Sequence, residues 1–269
     1  MVAKIQNSFV FDMLISFVSG LFFAFIVLVL LSLMTTTSFK EFLSQLRSPV
    51  VLSSIFVSLE TSLAVVCLTF IFGFPVSYFL ALKKFKGKIF LDTLLDLPIV
   101  LPPLVSGLSL LLLFGADGLL GTLLSRWNVR IIFTKKGIII AQLFVASPFF
   151  IKTVKETIAN ISKDLLAASA TLGASPFYTF RRIVLPLSKS GIWAGLVMTW
   201  ARAMGEFGAT AMVAGCIPQQ TETMTIAIYM QAMSGELAPA TAIALILMVF
   251  SFISLAIFKT RFRKYEYSS

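Results

Sequence analysis

The chain has 269 residues, of which 58% are hydrophobic and only 13% charged, and its mean hydropathy is +0.96. A soluble domain carries about 25% charged residues, so lipid rather than water must meet most of this surface, and a soluble globular fold is excluded. The net charge of +10 would suit nucleic acid in a soluble protein. Here the basic residues fall in short connections between apolar runs, where they set topology, so membrane lipid is an expected partner and nucleic acid is not.

Six apolar stretches are long enough to cross a bilayer as helices, which predicts an all-α, six-span bundle. The first covers about 9–34, with Asp12 as its only charge. It follows Lys4 without a small-residue cleavage site and is expected to be a retained span. The second covers about 51–82, contains Glu60, and is longer than a crossing needs. The third covers about 89–114, with Asp92 and Asp96 near its start and Pro98, Pro102 and Pro103 within it. Those prolines predict a bend or break. The fourth covers about 137–158, the fifth about 187–215 with Arg202 and Glu206, and the sixth about 238–258. Residues 1–50 read as a first span with an external loop, 51–260 as the transport core and 261–269 as a short basic tail.

Loop charges predict a multi-pass protein of the cell membrane with both termini cytoplasmic. With the N-terminus inside, fifteen Lys and Arg lie on the inner side: Lys4, Lys83, Lys84, Lys86, Lys88, Lys152, Lys155, Lys163, Arg181, Arg182, Lys189, Lys259, Arg261, Arg263 and Lys264. Six lie outside, namely Lys40, Arg47, Arg126, Arg130, Lys135 and Lys136, and Arg202 is inside a span. The chain contains no histidine, which removes imidazole bases and ligands. Cys67 and Cys216 read as small packing residues, and no clustered ligand pattern suggests a metal.

The inner connection at about 159–186 reads as more than a link. Ser162 is placed to cap a helix with Asp164 in its first turn. Leu165, Ala167, Ala168, Ser169 and Leu172 follow, then Gly173 at a helix end, Ala174, and Ser175-Pro176 opening a second helix. Small side chains and a glycine hinge suit a helix that docks in a groove of a partner. The alternative is an amphipathic helix lying on the membrane.

The order Ala167-Ala168-Ser169, three residues, Gly173, nine residues, Ile183-x-Leu185-Pro186 resembles the cytoplasmic loop signature of ABC importer permeases, Glu-Ala-Ala, three residues, Gly, nine residues, Ile-x-Leu-Pro. Ala167 stands where that signature has Glu, and Ser169 where it has its last Ala. The resemblance implies a type I permease bundle that pairs with a second copy of itself and rides on two cytoplasmic ATP-binding subunits. The segment of about 164–177 would be the coupling helix. The chain has no G-x-x-x-x-G-K-[ST] loop, so ATP and Mg are expected on the partner, no cofactor is expected on this chain, and an enzyme is not expected.

In the fifth span, Arg202 and Glu206 are four residues apart and can pair. Charges at this depth face each other, the bundle interior or a wet path. The pair is therefore either structural or a border of an anion path, with Glu60 either a further partner of Arg202 or simply facing water near the outer half. Ala201, Gly205 and Gly208 give a small-residue stripe for close helix approach. The run Ala201-Arg202-Ala203, then Gly205-Glu206-Phe207-Gly208-Ala209-Thr210, with Leu97 to Pro103, Val105 and Gly107, resembles the molybdate and tungstate branch of the sulfate/molybdate permeases. That resemblance spans roughly 50–260. It implies import of a tetrahedral oxyanion delivered by an external binding protein, with Pro102, Pro103, Arg202, Glu206, Phe207 and Thr210 at the path or gate. Sulfate or thiosulfate is the alternative cargo. An ion-coupled secondary transporter using Glu60, Asp92 and Asp96 is the alternative of another class.

Overall fold

The computed structural model describes residues 2–35 and 38–266, with side chains over 11–35 and 38–256. Every regular element among the described residues is helical. Helix α1 (Val2–Thr35) is followed by α2 (Phe39–Gln45) and α3 (Pro49–Leu82). The first is a span whose side chains from Phe11 onward lie outside the protein core. Short α2 is held by a capping box: the Ser38 amide and hydroxyl both donate to Glu41 Oε2, at 3.0 and 2.9 Å. These bonds hold the Glu41 carboxyl below its ordinary pKa. At 1.5 Å per residue the 34 residues of α3 extend about 51 Å, well beyond a hydrocarbon core of about 30 Å. A wider, π-type turn at Thr69–Gly73 lies within it, just before Pro75.

The expected third span is two helices, α4 (Lys88–Val100) and α5 (Pro103–Phe114), meeting at 111°. The turn is sharper than the bend expected of a single span. A residue before proline is driven out of the α region, and two such residues stand in succession. Leu101 precedes Pro102 and has ψ 135°, and Pro102 precedes Pro103 and also has ψ 135°. Pro98 is accommodated inside α4 without breaking it. After α6 (Leu119–Ser125) comes α7 (Lys135–Ala159), the most buried of the spans.

Next come α8 (Lys163–Thr171) and α9 (Pro176–Leu187), which bends by 64° into α10 (Lys189–Met204). The expected fifth span, 187–215, is therefore also divided: α10 stops at Met204, and α11 (Gly208–Ala214) is separate. Helix α12 (Met224–Met233) is short and apolar, and α13 (Leu237–Glu266) closes the chain. The basic tail begins inside α13, and its last residues, 267–269, lie outside the described residues.

Phe150 of α7 sits at the centre of the largest core cluster, with Phe74, Leu80, Val154, Ile158 and Val184. Two glycines admit its ring. A Cβ at Gly195 would lie 2.9 Å from Cδ2 of Phe150, and one at Gly73 3.0 Å from Cδ1. In lipid, helices associate mainly through such close contact, because the tails are as apolar as the side chains. Gly191 likewise admits Thr157.

Candidate functional site

The connection at 159–186 folds into two short helices joined at Gly173, much as its sequence suggests. Asp164 lies in the first turn of α8, but the Ser162 side chain makes no capping hydrogen bond, unlike Ser175, whose Oγ accepts from the Tyr178 amide at 3.2 Å. Gly173 has φ +78°, the left-handed conformation that ends a helix at little cost only for glycine. Ser169 and Thr179 hydroxyls lie 2.6 Å apart and tie α8 to α9. Leu166 and Phe180 turn into the Phe150 cluster, where Phe180 stacks edge-on with Tyr78. Leu165, Ala167, Ala168, Leu172, Pro176, Phe177 and Tyr178 remain exposed, Leu172 at 87%, and Ala174 is half-buried. A short helix thus presents an apolar outer face while its inner face is anchored.

The second locus is the break at residues 205–207. Glu206 is 1% exposed, and its Oε2 lies 2.7 Å from Nη2 of Arg202, which is 28% exposed. Spacing places the two on one continuous helix; in the structure Glu206 returns to Arg202 from beyond the helix end. Its Oε1 accepts from the Ala209 amide at 2.8 Å, so the carboxylate also satisfies a donor in the first turn of α11. Oε2 lies off the guanidinium N–H directions and is held by charge rather than by an aligned hydrogen bond.

The ends freed by the break are closed by distant residues. Gln142 Nε2 of α7 donates to the Ala203 carbonyl at 3.0 Å, and Thr225 Oγ1 of α12 donates to the Glu206 carbonyl at 2.7 Å. Thr210 is fully buried, and its hydroxyl donates to the carbonyls of Glu206 and Phe207, so it serves its own helix turn rather than an open path. Phe207 is half-buried against Tyr229, ring centroids 5.1 Å apart. Gly208 admits Pro103: a Cβ there would sit 2.9 Å from the proline Cβ. Pro102 and Pro103, at the 111° turn, therefore abut the break in α10–α11. Gly205 is exposed, with only the Ala201 carbonyl near the position a Cβ would take, so the expected small-residue stripe reduces to Gly208.

Gln142 and Thr225, which hold the two sides of the break, are not among the residues expected from the sequence. Gln142 is the one amide side chain of α7, in the run Ile138-Ile139-Ile140-Ala141-Gln142-Leu143, and a lone amide in an apolar span is the signal that points to it.

Three further carboxylates, Glu60, Asp92 and Asp96, are committed elsewhere. Glu60 pairs with Lys135 at 2.6 Å, not with Arg202. Asp92 pairs with Lys155 at 2.8 Å and Asp96 with Lys152 at 3.0 Å. No group of three or more Cys, Asp or Glu close enough to hold a metal occurs among the described residues, and Cys67 and Cys216 are free thiols.

In the connection between α11 and α12, Glu222 is 4% exposed. Burial raises its carboxyl pKa, and a hydrogen bond from the Gln219 amide partly opposes this. The folded state therefore holds the proton more tightly than the unfolded chain. Its stabilising effect is full below the ordinary glutamate pKa of about 4.3 and is lost as pH rises through the raised value. Thermal unfolding of purified protein is expected to shift to lower temperature over that window, and Glu222→Gln, neutral at every pH, should flatten the dependence. An identical pH profile in the variant would refute it.

Residues 73–264 match the family described as binding-protein-dependent transport system inner membrane component. The chain is 33% identical over 247 residues to the probable transport system permease protein NifC of Clostridium pasteurianum, covering 91% of this chain and 86% of that protein. It is 30% identical over 218 residues to the sulfate transport system permease protein CysT of Salmonella typhimurium, covering 81% and 79%. In fold it is similar to a bacterial ABC transporter involved in import of the acidic polysaccharide alginate, with TM-score 0.71 at 17% identity and 96% coverage of both chains. With the helical bundle and the match over most of its length, the chain belongs to the binding-protein-dependent transport system inner membrane components, as the permease subunit of an ABC importer.

Proposed function

We propose that this permease imports a tetrahedral oxyanion, as one of two identical subunits served by two ATP-binding subunits and an extracytoplasmic binding protein. The observation that carries the cargo class is the run from Ala201 to Thr210, where a buried carboxylate neutralises Arg202 beside Pro103, in a chain whose relatives include named sulfate permeases. The motif favours molybdate or tungstate; the names of the relatives favour sulfate. ATP and Mg belong to the ATP-binding partner in this reading.

The loop charges support an inner location for α8 and both termini. Its exposed apolar face then meets the ATPase. Displacement of α8 pulls on Leu166 and Phe180, hence on Phe150 of α7. Gln142 lies eight residues earlier on the same helix, about 12 Å away, and holds the end of α10 at the break. One helix thus links the docking face to the Arg202–Glu206 break. Two subunits related by a two-fold axis would carry the cargo between them. A strong anion site on the permease would trap cargo midway, and neutralisation of Arg202 by Glu206 avoids that.

Competitive uptake into proteoliposomes containing the whole complex and its binding protein tests this. ATP-dependent uptake of one oxyanion, suppressed by excess of its preferred competitor among molybdate, tungstate and sulfate, is expected. If none of the three is taken up or competes, the oxyanion reading falls; preferred competition by sulfate would assign sulfate as the cargo.

A further inference from the structure

The connection between α3 and α4 joins a cluster of lysines to an apolar groove. Helix α3 ends at Leu82 and is followed by Lys83-Lys84-Phe85-Lys86-Gly87-Lys88. Gly87, at φ +94°, turns the chain, and α4 folds back along the end of α3. The open groove between them has a volume of about 410 Å³, with Val76, Phe79 and Leu80 on one wall and Leu91, Leu94 and Leu95 on the other. Phe85, inside the lysine run, has its ring 5.0 Å from that of Phe79, so the groove opens directly beside the lysines.

Helix α4 has two faces of different chemistry. Asp92 and Asp96, one turn apart, are turned to α7 and neutralised there by Lys155 and Lys152. They leave no negative charge for the lysines of the turn. Among the described residues, no ion pair engages Lys83, Lys84, Lys86 or Lys88, and Lys83, Lys84 and Lys86 are exposed. The opposite face offers Leu91 and Leu94, partly exposed toward the groove. Uncompensated positive charge at the end of a span, beside an apolar slot, matches a ligand with an anionic head and a hydrocarbon tail. A small soluble anion would leave the slot unused, and a zwitterionic lipid would leave the charge uncompensated.

We propose that this turn and groove bind one anionic diacyl phospholipid per subunit, with an acyl chain between α3 and α4 and the phosphate among Lys83, Lys84 and Lys86. Each lysine near an anionic membrane surface strengthens attraction by roughly fivefold, so the cluster gives selectivity for charge while the groove gives residence. Lysine stems can lie along the apolar wall with their ammonium groups at the headgroup level. Because Asp92 and Asp96 clamp α4 onto α7, the lipid would brace the helix that leads to the turn at Pro102 and Pro103. The inference is independent of which oxyanion is carried.

Native mass spectrometry of the complete, delipidated transporter, titrated with phosphatidylglycerol or phosphatidylcholine of the same acyl chains, tests it. Wild type is expected to retain one phosphatidylglycerol per permease copy with at least about tenfold preference over phosphatidylcholine. The triple variant Lys83→Gln, Lys84→Gln, Lys86→Gln should lose the preference, and Val76→Trp, which fills the groove, should lower retention of both lipids. Equal retention of the two lipids by wild type, or an unchanged preference in the triple variant, overturns the proposal. So does a photoreactive residue in place of Phe79 that crosslinks to another protein chain instead of lipid.

Discussion

Arg202→Ala is expected to destabilise the permease by about 3 kcal/mol, more than the double variant Arg202→Ala, Glu206→Gln does. Removing one member of a buried ion pair costs about 3–5 kcal/mol, because the other charge is left without compensation. The lower end applies here, since Arg202 is 28% exposed and solvent can reach part of the pair. Glu206, at 1% exposed, is the member that suffers. Without the guanidinium its charge is left uncompensated at the break in α10–α11, with the Ala209 amide as its donor. Glutamine keeps an oxygen for the Ala209 amide, so the cap on α11 survives while the charge is gone. The double variant should therefore recover most of the loss. Thermal unfolding of the purified transporter in nanodiscs gives the comparison, and the cycle should return a coupling of about 0.5–3 kcal/mol. Strictly additive losses would mean that the two side chains do not depend on one another and would remove the buried pair from the account.

That pair also marks the limit of what can be read from the chain alone. Four residues of spacing are enough to bring Arg202 and Glu206 together on a helical wheel, but the contact is made across a helix end. The end exists because Glu206 takes up the Ala209 amide, Gln142 takes up the Ala203 carbonyl and Thr225 takes up the Glu206 carbonyl. Two of these partners come from other helices, 61 and 19 residues away, and hydrophobic pattern carries no record of such pairings. Apolar length, by contrast, is sufficient for α1, α3, α7 and α13, where a span is simply a long helix with few charges. The Pro102–Pro103 turn lies between these cases. Local sterics require extended backbone at Leu101 and Pro102, but the 111° angle depends on how α5 packs on α11 through Gly208 and Gly107. Glu60 faces water, one of its two expected settings, but its ion-pair partner Lys135, 75 residues on at the start of α7, leaves no local trace in the sequence.

Gly173→Val is expected to lower uptake per ATP hydrolysed by at least about tenfold in the assembled transporter, while the protein still inserts and folds. Apart from its two chain neighbours, no atom lies within 4 Å of the position a Cβ would take, so the substitution meets no packing obstacle in the subunit itself. The penalty is conformational: at φ +78° an ordinary side chain costs about 1–2 kcal/mol, and a β-branched one resists the left-handed region further. Relief comes by turning the chain between α8 and α9, which shifts Leu172 and Phe177 relative to Leu165 on the exposed face. Ser169 and Thr179, 2.6 Å apart across the same hinge, would separate. A loss of about 1.4 kcal/mol in docking is a factor of ten, so strain of this size is sufficient. Gly173→Asn supplies the control, since asparagine tolerates the left-handed region and should restore most of the coupling. Uptake and ATP hydrolysis measured on the same proteoliposomes separate the outcomes. If valine leaves their ratio at the wild-type value, the hinge does not carry the ATPase's movement, and the exposed face of α8 needs another explanation.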